Sequence, residues 1–324
     1  MHEWDKTTDK VLEALESNRA TPVSGAALAK EAGVSRNAVW KAVNALIARG
    51  YPVTSSRKGY TLSRESDVVS AQGIAKYLEK ELADVCRIDV RKTVSSTNTV
   101  AKELASAGAP EWTVVVATEQ TGGRGRQGRK FYSGAGTGVY VTLVVRPRDE
   151  RAGFLTVIAA LAATRAIEKI YASSPAIKWV NDVYVAGRKC VGILTEAVTD
   201  LESHGIEFAV VGTGFNLREP DGGYPEEIRD IAGTVGAEAS DGANRVVACM
   251  LNEYYALYTT FDKKAIAEEY RARSFLIGRK VMVVRSSGER EAVVTGIDDE
   301  CRLEVDYGGE RDVLDSGEVR LLLR

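Results

Sequence analysis

With 324 residues, 44% of them hydrophobic, the chain is long enough for about two domains and a small third, each with its own core, which excludes a disordered tail protein. Lys and Arg number 43 against 45 Asp and Glu, a formal net charge of −2, so any nucleic-acid contact must come from a local patch. Four scattered cysteines (Cys86, Cys190, Cys249, Cys301) and two histidines (His2, His204) argue against zinc, a disulfide framework and histidine-based catalysis, leaving Lys, Arg, Asp and backbone groups for any chemistry. Residues 1–10 are polar and charged, and the most apolar helical stretch, 154–163, is too short to span a bilayer, so a cytoplasmic protein without a membrane partner is expected.

In chain order, residues 5–17 place Val11, Leu12 and Leu15 at helical spacing, 25–31 predict a short second helix, and Gly33 marks a turn. Ser35 then caps a third helix over 36–49, with Val39, Val43, Leu46 and Ile47 on one face and Arg36, Asn37, Lys41 and Asn44 on the other. Two extended runs, 51–54 and 60–62, flank the basic tip Ser55-Ser56-Arg57-Lys58-Gly59, completing the pattern of a winged helix-turn-helix. Between Ser17 and Arg64 eight Lys and Arg face one acid, a local +7 that marks a DNA contact surface. Ser35, Arg36, Asn37, Lys41, Asn44, Arg57 and Lys58 are its candidate contacts, and a solvated basic face is the plainer alternative.

From about 68 to 273 extended runs (112–117, 139–145, 190–194, 208–211) alternate with helical ones (98–107, 153–171, 244–261), the pattern of an α+β domain. Beyond Gly278 the short runs 280–285, 292–297, 302–306 and 319–323, separated by turns, predict a small β-barrel. The expected division is 1–66, 67–273 and 274–324.

The most specific local feature is Gly123-Arg124-Gly125-Arg126-Gln127-Gly128-Arg129, which follows a predicted strand. It fits G-x-G-x-x-G, but no helix begins there to hold a pyrophosphate as a dinucleotide fold requires, and the Lys-Ser/Thr ending of a P-loop is absent. Three arginines interleaved with glycines instead make a cradle for phosphate or carboxylate: glycine admits close backbone approach, and each guanidinium presents a fork of donors. A basic surface loop without a ligand is the plainer reading. Lys189, just after Ala186-Gly187, reads by itself as a hairpin-tip lysine.

Three motifs together, Ser96-Thr97-Asn98, the Gly-Arg loop, and Lys178-Trp179-Val180-Asn181-Asp182 followed by Arg188-Lys189-Cys190-Val191-Gly192-Ile193-Leu194, resemble those of the biotin protein ligase family. With the winged helix, the chain resembles the bifunctional form that is both ligase and biotin operon repressor. The resemblance implies an SH3-like C-terminal barrel and a mixed-sheet catalytic domain. It implies ATP and biotin, with Mg²⁺ accompanying ATP and bound mostly through phosphate oxygens, no carboxylate cluster identifying protein ligands for it, a biotin carboxyl carrier domain and operator DNA as partners, and a homodimer when the adenylate is bound. It places Ser96, Thr97, Asn98, Gln120, Arg124, Gly125, Arg126, Lys189 and Asn216 against biotin or its adenylate; the chemistry of carboxylate adenylation then makes Lys189 and Arg126 catalytic as donors of positive charge and, with histidine lacking, Asp182 the catalytic candidate for the second step. Asp182 would orient or deprotonate the acceptor lysine, or else bond a loop backbone; Trp179 would shelve biotin or fill the core. The chain departs from the family at Val180, where proline is usual, a change expected to loosen that turn, and at Phe215, where a smaller aliphatic is usual. An effector-sensing repressor without ligase activity and a lipoate-type ligase are the competing readings.

Overall fold

The computed structural model describes residues 6–199, 205–285 and 288–322; the readings that rest on His2, on His204 and on the end of the last predicted strand lie outside them. Three helices, α1 (Lys6–Ser17), α2 (Gly25–Ala32) and α3 (Arg36–Ala48), are followed by the hairpin β1 (Val53–Ser56) and β2 (Gly59–Leu62). Ser24 and Ser35 cap α2 and α3 by accepting from the Ala27 and Ala38 N–H groups at 3.1 and 3.2 Å. Gly33 ends α2 at φ 70°, a left-handed position that glycine adopts without strain. Val11, Leu12, Leu15, Leu28, Val39, Val43 and Leu46 close a separate core. Ile47 departs from the expected inner face: it is 45% exposed, and Ala42 is buried instead, because positions 39, 42, 43 and 46 complete the inward stripe.

The central unit comprises α4 (Ala71–Ala75), α5 (Lys80–Ala83), β3 (Arg87–Val94), α6 (Thr97–Ser106), β4 (Thr113–Gln120), β5 (Gly138–Val145), α7 (Leu155–Tyr171), β6 (Ala176–Lys178), β7 (Asp182–Val185), β8 (Arg188–Thr199), β9 (Ile206–Asn216), α8 (Gly242–Thr259) and α9 (Lys263–Arg273). Its seven strands run in the order β3-β4-β5-β9-β8-β7-β6, with β3 and β4 parallel and every other pair antiparallel. Strand β5 is buried on both faces, which explains its apolar run, interrupted only by Thr142. One face packs α6 over Val115, Ala117, Val144 and Phe208, and the other packs α7 and α8. Eleven of the seventeen residues of α7 are buried, as a helix caught between a sheet and further helices requires.

The C-terminal strands β10 (Lys280–Arg285), β11 (Gly288–Ile297), β12 (Leu303–Asp306), β13 (Arg311–Leu314) and β14 (Glu318–Leu321) form an antiparallel sheet in the order β13-β12-β11-β10-β14. It docks on the central unit: the Trp179 indole N–H donates to the Cys301 carbonyl at 2.9 Å, and the Phe275 N–H to that of Ile177 at 3.2 Å.

An ionic knot ties the N-terminal unit to the central one. Glu16 accepts from Arg19 and Lys76, both at 2.7 Å, and Asp241 from the same two cations at 3.0 Å each. Tyr77 Oη and Asn244 Nδ2 donate to the Asp241 carboxylate at 2.8 and 2.7 Å. Burial alone would lower the Lys76 and Arg19 pKa values, but bonding to these carboxylates outweighs it and holds both above their usual range.

Candidate functional site

The motifs converge on one cavity at the α6 face of the sheet. Ser96, Thr97 and Asn98 reach it from the start of α6, Gln120 from the end of β4, Arg124, Gly125, Arg126 and Arg129 from the following loop, Asp182 from β7 and Lys189 from β8. Six cationic side chains (Arg124, Arg126, Arg129, Lys130, Lys178, Lys189) line it against two carboxylates, Asp182 and Glu318. Such an excess of positive charge in a partly enclosed space favours an anionic occupant.

The floor is glycine. Gly192 pairs with Gly214 and Leu194 with Gly212 across β8 and β9. A Cβ on Gly212 would lie 2.1 Å from Asn98 Oδ1, and one on Gly192 or Gly214 would lie 2.7 or 2.6 Å from the Phe131 ring. Only glycine fits beneath these side chains.

A hydrogen-bond chain fixes the polar wall. Gln120 Oε1 accepts from the Thr97 N–H at 2.8 Å, and its Nε2 donates to Ser133 at 3.0 Å. The Thr142 hydroxyl lies 2.8 Å from that of Thr97 and donates to Asn98 Oδ1 at 2.7 Å. Asn98 Nδ2 donates to Glu196 at 2.8 Å, and Lys102 reaches the same carboxylate at 2.7 Å. Burial raises the Glu196 carboxyl, yet the bonds from Lys102 and Asn98 outweigh it and leave it below the usual range. Arg124, 3.7 Å from Glu196, also donates to Thr99 at 2.9 Å. Glu196 therefore steadies both the asparagine and the first arginine of the cradle.

The cradle loop is a defined turn: the Gly125 N–H donates to Arg129 O at 2.7 Å and the Phe131 N–H to Gly123 O at 3.0 Å, with Gln127 at φ 55°. Arg126 Nη1 lies 3.4 Å from Asn181 Oδ1, and Arg129 pairs with Glu318 of β14, so the C-terminal sheet forms part of the cavity wall. Lys189 follows the two-residue hairpin turn Ala186-Gly187, both at positive φ, and its ammonium pairs with Asp182 at 2.6 Å. Lys178, mostly buried beside them, is held below the usual lysine range first by desolvation and then by the charge of Lys189. An arriving anion would favour its protonated form.

Asn216 is the one predicted site residue not among the lining residues. It is buried, and its Nδ2 donates to the Gly233 carbonyl at 3.1 Å, pinning residues 231–233 beside β8. Phe215 beside it is wholly buried in the core. Trp179 is 4% exposed with its indole N–H bonded, so it chiefly fills the core while one edge borders the cavity. Val180 does not leave the turn loose: its carbonyl accepts from Tyr270 at 2.9 Å, and Asn181 Nδ2 donates to Ile193 O at 2.8 Å. The cysteines are free and buried, except that Cys249 is half-buried. Sequence reading missed Lys178, Phe131, Tyr140, Glu318 and the glycine floor as cavity residues; the alternation of Gly212 and Gly214 along β9 was the available signal.

The candidate DNA contacts sit apart from the cavity, on the N-terminal unit. Arg36, Asn37, Lys41 and Asn44 are exposed along α3, and Arg57 and Lys58 form the two-residue turn of the wing. Ser35 is also exposed, with its hydroxyl engaged as the helix cap.

Residues 90–216 match the Biotin/lipoate A/B protein ligase family, and residues 7–61 match the HTH domain. The bifunctional ligase/repressor BirA of Bacillus subtilis is 33% identical over 286 residues, covering 86% of this chain and 87% of its own. The biotin--[acetyl-CoA-carboxylase] ligase of Mycobacterium tuberculosis is 32% identical over 246 residues, covering 72% of this chain and 88% of its own. The biotin protein ligase from Aquifex aeolicus in complex with biotin and ATP superposes with a TM-score of 0.62 at 26% identity, covering 73% of this chain and 98% of that one. No described helix is long and apolar enough to cross a membrane.

Proposed function

The chain belongs to the biotin/lipoate A/B protein ligase family, among its bifunctional ligase/repressors, and on that premise we propose how its residues divide the work. The activity is ATP-dependent ligation of biotin to a biotin carboxyl carrier protein, and the helix-turn-helix adds biotin-responsive repression. In the first step the biotin carboxylate attacks the α-phosphate of ATP, giving biotinyl-5′-AMP and pyrophosphate. In the second, the amine of a carrier lysine attacks the acyl carbon and expels AMP. The first step brings two anions together and releases a third, so preplaced positive charge and orientation lower its barrier.

Arg124, Arg126 and Lys189 supply that charge in our reading, while Ser96, Thr97, Asn98, Gln120 and Gly125 hold biotin or its adenylate. The observation that carries it is the convergence of six cations on a glycine-floored cavity. Asp182, paired with Lys189, would exchange that partner for the acceptor lysine in the second step, orienting the amine and taking its proton. Mg²⁺ would enter with ATP, bound mostly through phosphate oxygens.

We assign 1–66 to operator binding, 67–273 to catalysis, and 274–324 to an SH3-like barrel whose β14 helps wall the active site. A single winged helix makes few base contacts, so an adenylate-bound homodimer on a two-fold operator is the arrangement that gives useful specificity. Pyrophosphate release with ATP plus biotin, lipoate or octanoate in turn tests the reading. Release with biotin supports it; release with lipoate or octanoate alone makes the chain a lipoate-type ligase, and release with none makes it a sensor.

A further inference from the structure

On α3 the buried positions are Val39, Ala42, Val43 and Leu46. At 100° per residue the exposed side chains span an arc bounded by Arg36 and Lys41, with Trp40 and Asn44 near its middle. Trp40 is 55% exposed and, among the described residues, takes part in no hydrogen bond or ring contact; Ile47, two turns on and on the same side, is 45% exposed. The other two described tryptophans behave in the ordinary way: Trp112 and Trp179 are 8% and 4% exposed, and Trp112 packs against Tyr254, Tyr255 and Tyr258. A half-exposed indole at the centre of a cationic helix face is an apolar surface waiting for a partner.

The surroundings identify that partner. Arg36 and Lys41 rim the indole, Arg57 and Lys58 stand on the wing, and between Ser17 and Arg64 the one acid, Glu31, faces eight cations, of which only Arg19 is taken up by the knot with Glu16 and Asp241. A protein surface or a second copy would have to bring acidic groups to match this rim, whereas duplex DNA brings phosphates on both sides of a major groove. Phosphate contacts position a protein but carry no sequence information, and the apolar feature of the groove is the thymine 5-methyl group. Resting on the repressor reading, we propose that Trp40 is a specificity-determining residue whose indole packs on thymine methyl groups while Arg36, Lys41, Arg57 and Lys58 engage the backbone.

The test uses the full-length protein with biotin and ATP, and a randomised duplex pool from which the wild type selects its preferred sequence. Affinity is then measured by fluorescence anisotropy for the selected duplex and for the unselected pool, across a salt series. Trp40→Ala is expected to lower the selected-to-random affinity ratio about tenfold or more, leave the salt slope unchanged and leave biotin-dependent pyrophosphate release at the wild-type rate. Replacing individual thymines by uracil should weaken the wild type at one or more positions and leave Trp40→Ala indifferent there. Trp40→Phe, which keeps an aromatic surface, should retain part of the ratio and guards against a folding defect. Equal loss on both duplexes, a wild type insensitive to every uracil, or loss of self-association in Trp40→Ala would overturn the proposal. A wild type that enriches no sequence would overturn the repressor reading together with it.

Discussion

Around Asp241 two cations meet two carboxylates, with side chains only 9% and 17% exposed for Arg19 and Lys76 and 1% and 4% for Glu16 and Asp241. Around the cavity six cations meet two carboxylates, and Arg124 and Arg129 remain 43% and 59% exposed. The residue types are the same and the uses opposite. Where charges cancel and water is shut out, each ion is fixed by the others and the cluster becomes architecture, joining the N-terminal unit to the start of α8. Where positive charge is left in excess and in reach of solvent, the cluster is incomplete without an anion.

The largest effect is expected at the knot. Asp241→Ala should cost about 3–5 kcal/mol in denaturant unfolding, because it strips Arg19, Lys76, Tyr77 and Asn244 of a shared acceptor. A loss below about 1 kcal/mol, the range of an exposed pair, would deny the knot that role. Lys189→Ala should leave melting nearly unchanged but slow adenylate formation at least about 10²-fold in single-turnover assays, the scale for removing one preorganised charge donor.

A pH series sharpens the contrast. The folded pKa of Lys76 is raised above 10.5, so its stabilising contribution is complete below that value and is lost as pH rises through the folded one. The melting-temperature gap between wild type and Lys76→Met should therefore stay constant up to about pH 10.5 and narrow only beyond it. A gap that closes nearer neutrality would contradict the assignment. The smallest effect is expected at Arg57, exposed on the wing: Arg57→Ala should reduce the salt slope of DNA binding by about one per protomer, with no change in sequence preference.

Much of this was legible in the sequence, for physical reasons that differ by region. Caps at Ser24 and Ser35, the turn at Gly33 and the basic tip at Arg57-Lys58 are local signals, so the winged helix could be read almost to its boundaries. Strands β4, β5, β8 and β9 announced themselves by apolar runs because they lie centrally in the sheet. Strand β3 did not: as an edge strand mostly half-buried or exposed, Arg-Ile-Asp-Val-Arg-Lys-Thr-Val carries too many charges to read as extended. At the site, motif residues were found because their spacing is sequential; Lys178 stood inside a motif without a role that its local sequence reveals, and Phe131 and Glu318 enter only through tertiary folding. Asn216 lies outside the cavity lining with its buried amide holding a neighbouring loop, a role that has the same sequence appearance as a ligand contact. The knot was invisible because its members meet only in the fold: Glu16 and Asp241 lie 225 residues apart in the chain.

The division between the two cation clusters is tested most directly by the initial rate of biotin-dependent pyrophosphate release, compared for Arg126→Ala and Lys76→Met at a temperature where both are folded. If that division holds, Arg126→Ala is slowed at least about 10²-fold while Lys76→Met stays close to wild type. Equal losses in the two variants, or a wild-type rate in Arg126→Ala, would contradict it.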